Sequence, residues 1–408
     1  MTDTGDVSDS ASNFRLVERM LPYSSSIFGV TGARAVELNA INLGQGFPDT
    51  DGPQLLKDLA CKAIQDGSGN QYPPAHGMPA LREAIAEHQE RFYGLEVDPG
   101  TGVVVTTGAS EALTAAFLGL LNHGDEVIIF EPFFDLYPAG IALAGAKHIS
   151  VPLRIVDGGG WHEAATKSRR GFRLDLEALE KAVTPRTKMI LVNSPHNPTG
   201  MVFTGAELES IAQVATKNNL IVLSDEAYEH LVFAPAKHIP IATLPGMFER
   251  TITVGSGGKC FSFTGWKVGW ATGPAQLINA VRVARQHMSY VSGGPFQEAI
   301  AEGLRLPDSY FAELVASFKA GHDQLAAGLM EHGFEVFQTD GTYFITTDTG
   351  PGHENDRTFC DRLLNENGVA TIPNSALVDH EDLFPNYVRW AFCKQPEVID
   401  EALSRLPK

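Results

Sequence analysis

Short apolar, β-branched runs alternate along most of the chain with segments patterned for helix. Residues 103–107, 126–130, 189–193, 221–224 and 251–255 have the first pattern and predict strands. Residues 111–121, 174–183 and 205–218 have the second and predict helices between them. Strand and helix repeating in this order give an α/β domain: parallel strands need a crossover between them, and the crossover helices cover both faces of the sheet. After Leu306-Pro307-Asp308 the pattern changes to a long helix, about residues 309–332. Strands are expected near 334–337, 343–347 and 387–392, which reads as a smaller α+β domain. The expected division is 1–52 as an N-terminal arm joined to the small domain, 53–306 as the large domain, and 307–408 as the C-terminal small domain. There is no internal repeat or heptad run, and the triple glycine at 158–160 reads as a surface loop.

A chain of 408 residues exceeds what one small core organises, in keeping with two domains. The formal net charge of −18 disfavours nucleic acid or an anionic membrane as partner, because the overall field repels polyanions. Residues 1–13 are polar and acidic, without the basic start and apolar run of a signal peptide, and read as a disordered leader. No apolar stretch reaches the roughly 18 residues of a membrane span. Cys61, Cys260, Cys360 and Cys393 stand far apart, forming neither a disulfide framework nor a metal-binding pair, so reduced thiols in a cytoplasm are expected and no metal ligand set is read.

Candidate chemistry lies at the ends of the predicted strands, where open α/β sheets place their ligands. The segment 251–259 is a strand running into a Ser-Gly-Gly-Lys turn, which allows close backbone approach to a ligand and presents Lys259 as a Schiff-base candidate. It is not a phosphate-binding P-loop, which needs glycine where Thr253 stands and Ser or Thr where Cys260 stands. An isolated lysine on a turn is usually just solvated. Asp225 closes an apolar strand and is followed by Glu226-Ala227-Tyr228; a buried carboxylate there needs a partner, and a protonated pyridine nitrogen would supply one. Capping a helix is the local alternative. The run 193–200, Asn-Ser-Pro-His-Asn-Pro-Thr-Gly, is a rigid loop that aims the Asn197 amide, although asparagine before proline is also common for turn geometry alone. Residues 107–110 join a strand to a helix expected to start near Glu111, so free backbone N–H groups and the helix dipole make an anion site or a plain capped helix. Arg389 alternates with apolar neighbours in its strand; its planar fork suits a carboxylate ligand or a salt bridge across the sheet.

Taken together these segments resemble the fold type I, class I and II aminotransferases that depend on pyridoxal 5'-phosphate (PLP), and the similarity spans nearly the whole chain. The motifs that carry it are residues 42–49 (Asn-Leu-Gly-Gln-Gly-Phe-Pro-Asp), 70–72, 131–134, 193–200, 224–228, 256–259, 264–267 and Arg389. Within the family the chain resembles the branch of kynurenine, glutamine and methionine aminotransferases, and through residues 289–297 the actinobacterial N-succinyldiaminopimelate enzymes. The resemblance implies a PLP-dependent transferase fold with a mostly parallel seven-stranded sheet in the large domain, and ping-pong transfer of an amino group between an L-amino acid and a 2-oxo acid. It implies that Lys259 carries the cofactor and shuttles the proton, and that Asp225 faces the ring nitrogen. Asn197 and Tyr228 would donate to the phenolic oxygen, and Phe134 would stack on the ring. Gly108, Ala109, Ser110, Ser256 and Lys267 would hold the phosphate, with Tyr72 reaching it from the other subunit of a homodimer. Arg389 and the Gly46 backbone would take the substrate carboxylate, with Asn197 beside them, and Tyr290 would form an aromatic wall.

Cys260, Val291, Gly293 and Gly294 depart from the kynurenine-type pattern, and no second arginine is placed for a side-chain carboxylate, which argues against narrow aspartate specificity. A PLP-dependent cysteine-conjugate β-lyase on the same scaffold stays open. A non-catalytic PLP-binding regulator would need a basic DNA-binding module ahead of residue 42.

Overall fold

The computed structural model describes residues 16–157, 170–350 and 354–407. The expected leader at 1–13 and the loop at 158–160 lie outside them. The large sheet has seven strands: β1 (Val103–Thr107), β2 (Glu126–Glu131), β3 (Lys147–Pro152), β4 (Thr187–Asn193), β5 (Ile221–Asp225), β6 (Thr251–Ser256) and β7 (Val268–Thr272). Their spatial order is β1-β7-β6-β5-β4-β2-β3, parallel throughout except for β7, which runs antiparallel to both neighbours.

Alternation along each strand feeds two cores. Val127, Ile129, Leu191 and Leu223 pack on one face with Ala112 and Phe117 of the helix Gly108–Leu120. Ile128, Phe130, Ile190, Val192 and Val222 pack on the other with Leu208 and Ile211 of the helix Gly205–Lys217. That second helix starts at a full capping box, the Thr204 hydroxyl accepting from Glu207 N–H while the Glu207 carboxylate accepts from Thr204 N–H.

Within the large sheet the pattern missed two strands, for different reasons. In β3 only Val151 is fully buried, so its apolar signal is weak. In β7, Gly269 interrupts the run; a β-carbon there would lie 2.5 Å from the Ala109 nitrogen, so the strand passes hard against the start of the helix Gly108–Leu120.

The smaller sheet contains β8 (Phe344–Asp348), β9 (Ile372–Pro373) and β10 (Tyr387–Ala391), all antiparallel, in the order β8-β10-β9. The long helix Asp308–Glu331 packs on it through Phe318, Leu325 and Leu329. Leu43, from the N-terminal arm, enters the same core beside Phe344 and Trp390. The strand expected at 334–337 is reduced to a single bridge, Val336 to Thr347. Phe334 belongs to the small-sheet core and Phe337 to a large-sheet core, so this segment crosses between cores and does not follow an edge. No helix among the described residues is long and apolar enough to cross a membrane.

Candidate active site

Parallel strands deliver their carboxyl ends to one edge of the sheet, and antiparallel β7 delivers its amino end to the same edge. Register makes this concrete: Thr107 pairs with Val268, Ser256 with Gly269, and Asn193 with Asp225. A cavity of about 460 Å³ lies there, closed from the small-sheet side by Phe344 and Arg389.

Lys259 stands on a single helical turn, Gly257–Cys260, directly after β6, and lines the cavity, so the solvated-turn alternative fails. Its Nζ donates to the Tyr343 hydroxyl at 2.6 Å and to the Gly46 carbonyl at 3.4 Å. The Tyr343 hydroxyl in turn donates to Gly46 O at 2.5 Å. Burial lowers the amine's pKa to about 8, overcoming the opposing pull of Cys393 and Asp225. A β-carbon on Gly46 would sit 2.4 Å from the Phe344 ring and 2.7 Å from Tyr343, so only glycine lets this backbone close over the lysine.

Asp225 is buried at the end of β5. Tyr137 donates to its Oδ2 at 2.7 Å and Ala227 N–H to its Oδ1 at 3.2 Å. Burial raises its pKa, although the Tyr137 hydrogen bond favours the charged form. The helix-cap alternative is not realised, since residues 227–230 form a turn and no helix follows. Asn193 is spent on structure: its amide donates to Asp225 O at 2.9 Å and its Oδ1 accepts from Asn197 N–H at 2.8 Å, locking the two loops together.

Arg389 on β10 is 1% exposed. Its Nη1 donates to Asn197 Oδ1 at 2.9 Å, its Nη2 to Gly44 O, and its Nε has no partner. The guanidinium lies 4.1 Å from the Phe344 ring centroid and 4.7 Å from that of Phe28. Burial pulls its pKa down to about 10, with Tyr228, Tyr343 and Asp135 opposing. Among the described residues no carboxylate makes an ion pair with it, so the salt-bridge alternative is absent. Because Asn197 spends its oxygen on Arg389, its amide nitrogen is left as the donor toward the cavity.

Gly108, Ala109 and Ser110 open the helix Gly108–Leu120, which starts three residues earlier than expected, and Ser256, Thr264 and Lys267 join them in the wall. Gly108 has φ +72° and Lys267 φ +52°. A β-carbon on Gly108 would stand 3.2 Å from Lys267 Nζ, which places that ammonium over the helix start. Free N–H groups, a helix dipole, hydroxyls and an ammonium form an anion cradle.

Phe134 and Tyr228 also line the cavity. Tyr72 and Tyr290 do not: Tyr72 is 81% exposed and meets Tyr290 edge-on at 5.5 Å, both outside the cleft of their own chain. Tyr290 is turned there by its φ of +68° and by Arg285, which donates to its carbonyl. The sequence reading missed Tyr137, Tyr343, Phe344 and Phe28. A strand pattern marks Tyr343 and Phe344 as apolar sheet residues and carries no sign of a hydroxyl aimed at Lys259.

The cavity has an anion cradle, a buried carboxylate that makes no ion pair among the described residues, and an amine with a depressed pKa. That set fits a phosphorylated, protonated pyridine aldehyde at opposite ends and at its reactive carbon, which is PLP. Sheet order and site together define a transferase of fold type I.

Known proteins agree. The model of the family described as aminotransferase class I and II matches residues 39–406. A probable N-succinyldiaminopimelate aminotransferase of Mycobacterium tuberculosis is 48% identical over 96% of this chain and 97% of its own. A kynurenine–oxoglutarate transaminase of Dictyostelium discoideum is 39% identical over 92% of each chain. The solved structure of N-succinyldiaminopimelate aminotransferase from Mycobacterium tuberculosis superposes with a TM-score of 0.90 at 47% identity, covering 96% of this chain and 99% of that one. The chain belongs to the class I and II aminotransferases, a family of enzymes that use PLP.

Proposed function

We propose that this aminotransferase holds PLP at Lys259 and exchanges amino groups between N-succinyl-LL-diaminopimelate and glutamate through their 2-oxo acids. One observation carries the reading: the Lys259 amine, the Asp225 carboxylate and the Arg389 guanidinium all line a single cavity. The relative at 48% identity supports the substrate, as do Phe28, Phe47 and Phe134, which offer apolar contact to a long acylated side chain.

When bound, the cofactor supplies an aldehyde that condenses with amines and a protonated ring that accepts electron density. The chain's own residues do the rest. Arg389 binds the substrate α-carboxylate with the donors that Asn197 and Gly44 leave free, fixing which face of the α-carbon meets Lys259. Lys259 Nζ would take the proton from that carbon and hold it during the transfer, acting as a general base of modest pKa. The Tyr343 hydroxyl and Gly46 carbonyl hold this amine between transfers. With the cofactor bound, Asp225, which accepts from the Tyr137 hydroxyl and Ala227 N–H, would face the protonated ring nitrogen, while Tyr228 and the Asn197 amide would donate to the phenolic oxygen. Phe134 would cover the ring, and Gly108, Ala109, Ser110, Ser256 and Lys267 would hold the phosphate, all of them lining the cavity.

We further propose a homodimer in which Tyr72, exposed and paired with Tyr290, enters the partner's cleft. Division at residues 52 and 306 into arm, large domain and small domain accords with the two sheets. A reducing cytoplasm accords with four unpaired cysteines, three of them buried.

The substrate assignment is tested by loading the protein with PLP and recording which amino acids convert the aldehyde form of the cofactor to its amine form. N-Succinyl-LL-diaminopimelate and glutamate are expected to convert it fastest. Faster conversion by kynurenine or methionine would move the enzyme to the broad-specificity branch. A second expectation follows from the lysine. Below pH 8 Nζ is mostly ammonium and cannot attack an aldehyde, so PLP capture by the apo-protein should rise about tenfold per pH unit up to about pH 8 and then level. A flat rate in stopped-flow absorbance between pH 6 and 9 would contradict a buried, depressed amine.

A further inference from the structure

One residue beyond Tyr228 the chain turns into a second cluster of ligating side chains, which the amino-transfer chemistry does not use. Glu229 and His230 lie in the turn after β5, and His88 comes from the helix Pro79–Tyr93, 142 positions before His230. The two Nε2 atoms of His88 and His230 face each other at 2.7 Å. One ligand atom from each of His88, Glu229 and His230 lies within 4.8 Å of the other two. His88 is 1% exposed and Glu229 4%. Neither oxygen of Glu229 has a hydrogen-bond partner of good geometry, nor does His88 Nδ1.

The surroundings are aromatic. His230 stacks on Phe311 at 4.1 Å, and Phe92 lies 4.8 Å from His88 and 4.9 Å from His230. Four further groups face the cluster. His238, held by Glu226 at 2.8 Å, and the Tyr93 hydroxyl both favour the Glu229 charge, Glu226 opposes it, and the Cys260 thiol lies within its field.

The two ring nitrogens at hydrogen-bond distance share one proton, one imidazole donating and the other accepting. The Glu229 oxygens and His88 Nδ1 find no donor or acceptor of good geometry, and a buried carboxylate is costly unless it is paired. One divalent ion in place of the shared proton would take a lone pair from each imidazole and an oxygen from Glu229 together.

We propose that His88, Glu229 and His230 bind one divalent transition-metal ion, which ties the helix Pro79–Tyr93 to the turn after β5. Two imidazoles and a carboxylate, with no thiolate, are a borderline donor set that suits zinc. Tetrahedral zinc holds such ligands at about 2.0–2.2 Å, so neighbouring donor atoms stand about 3.4 Å apart. The imidazole pair opens by less than an ångström and Glu229 swings in to meet that geometry. Sequence reading named no metal ligands here, because the three residues converge only through the packing of the helix on the sheet edge.

The test uses the full chain with its cofactor, stripped by chelator and dialysed against zinc or cobalt. One zinc per chain should remain after gel filtration, measured by plasma mass spectrometry, and zinc should raise the Tm. Glu229→Gln and His88→Gln should weaken zinc binding at least tenfold. Should these variants misfold, the cobalt-loaded wild type decides: intense visible bands beyond the cofactor's own mark a low-coordinate site. Weak bands of six-coordinate cobalt, no retained zinc, or equal retention in folded variants would overturn the proposal. These readouts do not depend on amino transfer, so the site can fail while the aminotransferase reading stands, and the reverse.

Discussion

Lys259→Ala should lower turnover by at least roughly 10²–10⁴-fold, the contribution of a positioned general base, and should erase the absorption band of lysine-linked cofactor. The geometry sets the size of the effect. Among the described residues Lys259 and Lys267 are the amines that line the cavity, and Lys267 is committed over the helix start at Gly108. Tyr228 and Tyr343 are poor substitutes as bases, because burial pushes their hydroxyls above the ordinary phenol range and keeps them protonated. Single-turnover spectra of the purified variant would check it. A normal band and normal turnover would remove Lys259 from the mechanism.

Arg389→Ala should cost about 2–5 kcal/mol of transition-state binding, or roughly 30- to 5,000-fold in kcat/KM, because it strands a substrate carboxylate in a buried site. Part of that loss comes from Asn197, whose oxygen loses its donor at 2.9 Å and whose amide is then free to rotate. Arg389→Lys should fall between wild type and alanine, since it keeps the charge and loses the fork. Steady-state kinetics with amino acids and with the corresponding amines separate the roles. If amines lacking the carboxylate lose as much as amino acids do, Arg389 is structural and does not bind the carboxylate.

Much of the large sheet was legible in the chain. Central strands such as β4 and β5 are apolar on both faces, and that pattern survives in one dimension. β7 was not legible. Gly269 breaks its apolar run, and its place between β1 and β6 depends on an antiparallel return that no local signal specifies. Site residues divide the same way. Lys259, Asp225, Asn197 and Arg389 each sit in a distinctive local run, whereas Tyr137 and Tyr343 act through hydroxyls whose targets are 88 and 84 positions away.

The sequence alone determined which groups could do chemistry: the glycine-flanked lysine, the aspartate closing an apolar strand, the asparagine between prolines, and the arginine among apolar neighbours. Only the tertiary structure decided their state. Removal from water lowers the Lys259 amine toward neutrality and raises the Asp225 carboxyl, and it leaves Arg389 without a carboxylate of its own. Local patterning sets where each side chain starts along the backbone. Charge state and partner depend on what packs around it, and those contacts come from segments far away in the chain.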